Sequence, residues 1–228
     1  MDTLKVKTES PATLLGLFTT LIGFWLIAKA YYTAARLLNL TGPWTAPIYT
    51  LAQITGFIVL LYVLKKENQP FSSIWFGEGK LKDLLYATLF LAAAWVLWGI
   101  LDYIGAILGV PKIAWWKRWQ VSSPHDIIPV AVLGLAAAFF EEIFYRGYAI
   151  TRLYSLTNNL ALASAVSIGF FTLIHYFFGP RVMLCILGWA TIDTLLFIYR
   201  KSTKASFYYH AINNTIVYIL FPLIGLWK

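Results

Sequence analysis

Residues 127–150 read IIPVAVLGLAAAFFEEIFYRGYAI and give the strongest indication of how the chain folds. The first fourteen of them are uncharged, and Glu141, Glu142 and Arg146 follow. About 20 mostly apolar residues are enough for a helix to cross a hydrocarbon core roughly 30 Å thick. Backbone polar groups in lipid have to be satisfied within their own segment, so this stretch predicts a membrane-spanning helix.

Six further stretches have a similar length and composition: residues 14–35, 46–64, 84–109, 160–178, 182–199 and 206–226. Of the 228 residues, 60% are apolar and 12% are charged. Soluble domains typically contain about 25% charged residues, so a soluble protein is excluded. The predicted fold class is all-α, a polytopic integral membrane helical bundle with about seven, or eight, transmembrane helices.

The predicted spans occupy most of the chain, which indicates one continuous membrane domain. Residues 1–126 hold N-terminal spans and interfacial loops without a recognisable motif, whereas residues 127–220 hold the polar motifs. The connection at residues 65–83 contains Pro70, two glycines and mixed charge, so we expect it to be solvated. The N-terminal sequence has no Ala-x-Ala-like cleavage site, and no cleavable signal peptide is expected.

The net charge of +8 reflects membrane topology rather than nucleic-acid binding. With the loops assigned to alternate sides, ten basic residues lie on the side of the N-terminus and six on the other. The ten are Lys5, Lys7, Lys65, Lys66, Lys80, Lys82, Arg152, Arg200, Lys201 and Lys204, and the six are Arg36, Lys112, Lys117, Arg118, Arg181 and Lys228. The positive-inside rule then predicts a cytoplasmic N-terminus. We expect a multi-pass protein of the plasma membrane. Trp115, Trp116 and Trp119 in the loop at 111–126 predict an interfacial segment.

The most informative residues are the charged ones within predicted spans. A charge at the centre of a bilayer costs roughly 2.5–3.5 kcal/mol on insertion scales, so intramembrane carboxylates are candidates for function. Glu142 and Arg146 are four residues apart on one helix face and can form an ion pair. Glu141 is rotated by about 100° from Glu142 and faces a different neighbour.

Two of the three histidines also lie in predicted spans, His175 in FFTLIHYFF and His210 in YYHAINN. Phe171 shares a helix face with His175, and Asn214 shares one with His210, because each pair is spaced four residues apart. Carboxylates, imidazoles and an amide together suit the attack of water on a carbonyl group. The alternative for each residue alone is a hydrogen-bonded position in the core.

The remaining unusual residues have structural interpretations. Asp102 and Asp193 could pair with Lys29 or with a backbone group, or could lie near an interface, and Lys29 and Arg36 are expected to extend toward the headgroups. Cys185 is expected to be a small core residue, and His125, which follows Pro124, is expected to be solvated.

Helix geometry leaves the depth of these residues open. Glu141 and His175 each lie about 25 Å from a turn at Asn158, whereas His210 is only about 9 Å beyond Lys204. The two sets meet if the hairpin around Asn158 projects beyond the bilayer, or if the last span is steeply tilted.

The polar motifs resemble those of the CAAX-protease and bacteriocin-processing (CPBP) family of intramembrane proteases, which includes the type II CAAX prenyl proteases. Its motifs are Glu-Glu-x-x-x-Arg, Phe-x-x-x-His and His-x-x-x-Asn. Here they are EEIFYR from Glu141, FTLIH from Phe171 and HAINN from His210, in the same order. The resemblance covers about residues 127–220.

The resemblance implies an intramembrane endopeptidase that uses a glutamate-activated water. Glu141 would be the general base and His175 would share its water. His210 and Asn214 would donate to the developing oxyanion. Glu142, Arg146 and Phe171 would support the site. The implied substrate is a peptide or protein, possibly lipidated or embedded in the bilayer.

Three alternatives stay open at the level of sequence. No cofactor is expected, but Glu141, His175 and His210 could instead hold zinc, with water as fourth ligand. The same buried residues could form a relay in a small membrane transporter. The third alternative is a non-catalytic immunity or scaffold protein.

Overall fold

A computed structural model describes residues 11–38, 46–112, 121 and 123–225. All regular secondary structure in these residues is helical, which confirms the predicted fold class. The tryptophan-rich segment predicted to be interfacial, Trp115 to Trp119, lies outside the described residues.

Ten α-helices are found in the described part of the chain: α1 Ala12–Phe18, α2 Phe24–Leu37, α3 Ala46–Lys66, α4 Leu81–Ile107, α5 Ile127–Glu141, α6 Thr151–Thr157, α7 Leu160–Leu173, α8 Pro180–Arg200, α9 Thr203–Thr215 and α10 Phe221–Leu223. Three π-helical turns join neighbouring helices: Thr19–Gly23, Glu142–Ile150 and Ile216–Leu220. The nine residues Glu142–Ile150 are called the π segment below.

Five helices within the described ranges are long and apolar enough to cross a membrane: Ala12–Ala35, Pro47–Lys66, Leu81–Ile107, Pro124–Thr157 and Pro180–Arg200. The two other predicted spans differ from a simple membrane crossing. Residues 160–178 form the shorter α7 and then a 3₁₀ turn, Tyr176–Phe178. Residues 206–226 form α9 and the turns after it, and α9 carries the buried polar residues Ser206, His210 and Asn214. The protein is thus an integral membrane protein with shorter helices around its polar centre.

The run Pro124–Thr157 contains 34 residues. At 1.5 Å per residue it is about 50 Å long, which exceeds the thickness of a hydrocarbon core. It ends at Asn158, whose left-handed backbone (φ 54°) makes the turn into α7 as predicted. The length of this run is consistent with a hairpin that projects beyond the bilayer.

Aromatic side chains join the N-terminal helices to the motif-bearing ones. The Phe57 ring of α3 lies 5.3 Å from that of Phe140, and the Phe24 ring of α2 lies 5.3 Å from that of Phe144. Helix α3 runs in the same direction as α5, because Gly56 adjoins Phe144 while Glu67, further along α3, adjoins Tyr148 and Arg152. Residues 1–126 therefore contribute to the same core as the motifs.

Arg152 was predicted to lie in a loop, but it is fully buried. Its guanidinium donates to Glu67 Oε2 through Nη2 at 2.9 Å and Nε at 3.3 Å. Glu67 Oε1 accepts from the Tyr148 hydroxyl at 2.7 Å and from Thr13 Oγ1 at 2.8 Å. We call Thr13, Glu67, Tyr148 and Arg152 the Glu67 cluster; it ties α1 and the end of α3 to the π segment and α6.

The connection between α3 and α4 was predicted to be solvated, but its middle is packed against the helices. Ile74 is fully buried, and its carbonyl accepts from Thr203 Oγ1 at 3.0 Å at the start of α9. A Cβ atom at Gly147 would lie 2.1 Å from the same carbonyl, so only glycine permits this approach. This connection therefore fixes the start of the helix that carries His210.

Candidate active site

The π segment brings a buried arginine between two carboxylates. Arg146 Nη1 lies 3.3 Å from Glu142 Oε1, as their spacing predicts, and Arg146 Nη2 lies 3.0 Å from Asp193 Oδ2 of α8. All three side chains are at most 1% exposed. Asp193 was expected to pair with Lys29 or a backbone group, and this was wrong. The sequence could not predict the pair, because it joins positions 47 residues apart on two helices.

Glu142 also contacts a predicted catalytic residue. His210 Nδ1 and Glu142 Oε1 are 2.7 Å apart, and the Trp189 ring packs edge-on at 4.9 Å from the His210 ring. We call Glu142, Arg146, Asp193 and His210 the Glu142 cluster. Glu142 is therefore more than a partner for Arg146, since it also orients the imidazole of His210.

Glu141, the last residue of α5, lines a cavity of about 640 Å³. The side chain is 9% exposed. The same cavity is lined by His175, His210, Asn214 and Tyr218. The structure thus brings all four residues predicted to be catalytic, which come from three separate segments, to one cavity.

His175 lies just beyond the end of α7, in the turn before Tyr176–Phe178, rather than inside a long span. Its Nδ1 is 2.7 Å from the Phe171 carbonyl oxygen, and the two rings are 4.8 Å apart. A carbonyl only accepts, so Nδ1 carries the proton, and neutral His175 has its lone pair on Nε2. Phe171 is also in the core: it is 2% exposed, and the Arg146 guanidinium lies 4.6 Å from its ring.

The amide of Asn214 is held at both ends. Its Nδ2 donates to the Gly134 carbonyl of α5 at 3.0 Å, and its Oδ1 accepts from Asn213 Nδ2 at a long 3.5 Å. Asn213 Oδ1 in turn accepts from Trp95 Nε1 of α4 at 3.2 Å. One N–H of Asn214 remains for another acceptor, because an amide nitrogen has two hydrogens to donate.

A second, smaller cavity of about 170 Å³ borders several of the same residues. It shares His175, His210, Asn214 and Tyr218 with the first cavity, and Trp95, Trp98 and Trp189 complete much of its wall. Asp102 and Lys112 also line it. Asp102 pairs with Arg181 at 2.8 Å and with Lys112 at 3.2 Å, so the expected partner Lys29 was wrong here too.

Several residues outside the main site were predicted with different success. Cys185 is buried as expected, and His125 is exposed as expected. Lys29 is exposed, and its Nζ lies 5.2 Å from the Trp25 ring. Among the described residues, no group of three or more His, Cys, Asp or Glu side chains is arranged to hold a metal ion, including Glu141, His175 and His210.

Sequence reasoning assigned no role in the site to Asp193, Trp95, Asn213 and Trp189. One signal was available for Asp193, since it is the one carboxylate in the predicted span at 182–199. Trp95 and Trp189 carried no comparable signal, because aromatic residues are common throughout this chain, at 18%.

The fold and the site together define a polytopic helical membrane protein with a carboxylate, two imidazoles and an amide at an internal cavity. Comparison with known families gives a more specific result. Residues 123–216 match the model of the Rce1-like family, described as type II CAAX prenyl endopeptidase Rce1-like. The match confirms the resemblance predicted from the three motifs. No curated protein and no solved structure matches the chain.

Proposed function

We propose that this protein is an intramembrane endopeptidase that hydrolyses a peptide bond near the membrane surface with a water activated by Glu141. One observation carries the proposal: Glu141, His175, His210 and Asn214 line a single cavity. The family match at residues 123–216 supports a protease in general terms. The substrate is a peptide or protein, possibly lipidated, and the protein acts in the plasma membrane with its N-terminus in the cytoplasm.

Glu141 is the proposed general base. Its carboxylate takes a proton from a water in the cavity while the water oxygen attacks the carbonyl carbon of the scissile bond. The lone pair on His175 Nε2 accepts the second hydrogen of that water and aligns its oxygen. When the C–N bond breaks, Glu141 returns its proton to the departing nitrogen, so the carboxylate is regenerated.

His210 and Asn214 are the proposed donors to the oxyanion. Asn214 donates through its second Nδ2 hydrogen, because the first is bonded to the Gly134 carbonyl. His210 can donate from Nε2 in two forms: with both ring nitrogens protonated beside an ionised Glu142, or as a neutral ring whose Nδ1 accepts from a protonated Glu142. In both forms Glu142 holds the imidazole at Nδ1 and leaves an Nε2–H to donate into the cavity. Hydrogen bonds to an oxyanion in a dry site are among the largest single contributions to catalysis.

The zinc-dependent alternative requires Glu141, His175 and His210 to converge on one ion. These three side chains are not grouped in that way among the described residues. We therefore favour the metal-free mechanism, in which no step passes through a metal and His210 acts as a donor rather than as a ligand.

The test is peptide cleavage by the purified protein in liposomes, with Glu141→Gln beside the wild type. This change keeps the side-chain volume and removes the base, so turnover should be lost while folding is retained. Glu78→Gln is the matched control, because Glu78 is exposed and pairs with Lys80 on the surface. Wild-type turnover in Glu141→Gln would refute the mechanism. Loss of activity with a chelator, followed by rescue with Zn²⁺ and stoichiometric bound zinc, would establish the zinc alternative instead.

A further inference from the structure

Part of the larger cavity is lined by residues that lie outside the three motifs. Helices α2 and α3 contribute Phe24, Trp25, Lys29, Tyr49 and Gln53 to its lining. Gln53 stands out in sequence as well, because it is the one amide or charged side chain in α3 before Lys65. Polar residues inside a membrane-spanning helix usually face the protein interior and mark a functional position.

Gln53 is buried without full hydrogen bonding. The side chain is 2% exposed, and its Oε1 has no hydrogen-bond partner in the described part of the chain. The great majority of buried polar side-chain atoms have such a partner. An amide oxygen is an acceptor only, so what this position requires is an N–H or O–H donor.

The packing of α3 places Gln53 close to the level of the proposed base. Phe57 of α3 contacts Phe140, and α3 and α5 run in the same direction. Gln53 lies one turn before Phe57, and Ala137 lies one turn before Glu141 on α5. Both Ala137 and Glu141 line the cavity together with Gln53.

We propose that Gln53 is a substrate-binding residue whose amide oxygen accepts a backbone N–H from a peptide bound in this cavity. The inference rests on the proposed protease function and assigns the class of ligand at this wall. A peptide backbone supplies the missing donor, whereas an acyl or isoprenoid chain has no N–H to offer. The neutral amide gives no charge with which to select an acidic or basic side chain, so a contact to the backbone tolerates different sequences.

The first test compares Gln53→Met with Thr55→Val in cleavage of a fluorogenic peptide that the wild type hydrolyses. Met keeps the length of the side chain and removes the acceptor. Thr55 is the control, because it lies on the same helix outside the cavity and bonds to the Leu51 carbonyl. The loss of one hydrogen bond should raise KM about tenfold or less in Gln53→Met, with kcat nearly unchanged. Thr55→Val should have the KM of the wild type.

The second test removes the proposed donor from the substrate. Each backbone N–H of the peptide is replaced in turn by an ester oxygen, and KM is measured for the wild type and for Gln53→Met. One replacement should weaken binding to the wild type and have no effect in Gln53→Met. The inference fails if every replacement has the same effect on KM in both proteins, or if Gln53→Met keeps the KM of the wild type. Either result would show that Gln53 does not bind the peptide backbone. Glu141-dependent cleavage would be unaffected by that failure.

A binding measurement separates this failure from failure of the proposed function. The same peptide, labelled with a fluorophore, is titrated into Glu141→Gln and into Glu141→Gln/Gln53→Met in detergent. Weaker binding to the double variant supports the inference even when no peptide is cleaved. Equal affinity for the two variants, or no binding to either, overturns it.

Discussion

Two buried ion-pair clusters lie within two turns of each other on one helix, and they are built differently. In the Glu67 cluster, Glu67 Oε1 accepts two hydrogen bonds and Oε2 accepts two from Arg152. In the Glu142 cluster, Glu142 Oε2 and Arg146 Nε have no hydrogen-bond partner in the residues described. The arginines at the two centres are both at most 1% exposed. Burial alone therefore does not separate a structural cluster from a site.

The two clusters differ in how completely their polar atoms are hydrogen-bonded and in whether a side chain reaches a cavity. A cluster whose polar atoms are all bonded holds one arrangement, and a change in its charge costs stability. A cluster with bonding capacity left over, whose histidine reaches a cavity, can exchange protons and contact a ligand. His210 provides that access for the Glu142 cluster. The four predictions below ask whether the Glu67 cluster affects mainly stability and the Glu142 cluster and its neighbours mainly turnover.

The largest effect is expected on stability from Arg152→Met. It leaves Glu67 buried without its cation, and breaking a buried pair costs about 3–5 kcal/mol. The free energy of unfolding in detergent should fall by about that amount, and the double change Glu67→Gln/Arg152→Met should cost less than the sum of the single changes. Lys65→Met, which changes an exposed lysine on α3, is the control. Additive losses in the double variant would show that the two side chains are not coupled.

Asn214→Ala should affect turnover instead. Removal of one donor to an oxyanion typically lowers kcat by about 10²–10³, with KM little changed. Thr215→Ala is the neighbouring control, because its hydroxyl bonds to the Ala211 carbonyl on an exposed face of α9. A rise in KM with unchanged kcat in Asn214→Ala would make Asn214 a binding residue and remove it from the proposed oxyanion site.

The same substitution in both clusters gives the most direct contrast. Glu142→Gln weakens the charge-assisted hydrogen bond to His210, and such bonds contribute about 1.5–3 kcal/mol, so kcat should fall roughly ten- to a hundredfold. Glu67→Gln should lower thermal stability and leave the kcat of the folded protein unchanged. The measurements are kcat at a temperature where both variants are folded, and melting curves for each. A reversed pattern would mean that the bonding difference between the clusters has no functional meaning.

Contacts between residues of the same helix could largely be predicted from the sequence. The spacing of Glu142 and Arg146 predicted their contact, and the Phe171–His175 spacing placed on one helix face two rings that are in contact in the structure. The contacts between different helices could not be predicted from the sequence. Asp193 meets Arg146, and Trp95 meets Asn213, through packing between helices, about which spacing along one helix is silent.

The assumption of regular α-helical geometry also limited the prediction. We assumed 3.6 residues per turn beyond Glu141, whereas residues 142–150 form a π-helix with wider turns. Arg152 was assigned to a loop because a charge there suited the positive-inside rule. Its partner Glu67 lies 85 positions earlier, so nothing local could indicate that the pair is buried.

The smallest expected effect concerns Trp95, which lies outside the segment that matches the family model and touches the site through Asn213. Trp95→Phe keeps an aromatic ring in the second cavity and removes the N–H that holds Asn213. Asn214 would then lose the support of its carbonyl oxygen but keep its bond to Gly134. One neutral hydrogen bond contributes about 0.5–1.5 kcal/mol, so kcat should fall by about tenfold or less, with KM and melting temperature unchanged.

Trp98→Phe is the control, because Trp98 lines the same cavity and is not bonded to Asn213 in the described contacts. Equal losses in the two variants would assign the effect to cavity shape, whereas a loss confined to Trp95→Phe would extend the catalytic arrangement to a helix that carries no motif.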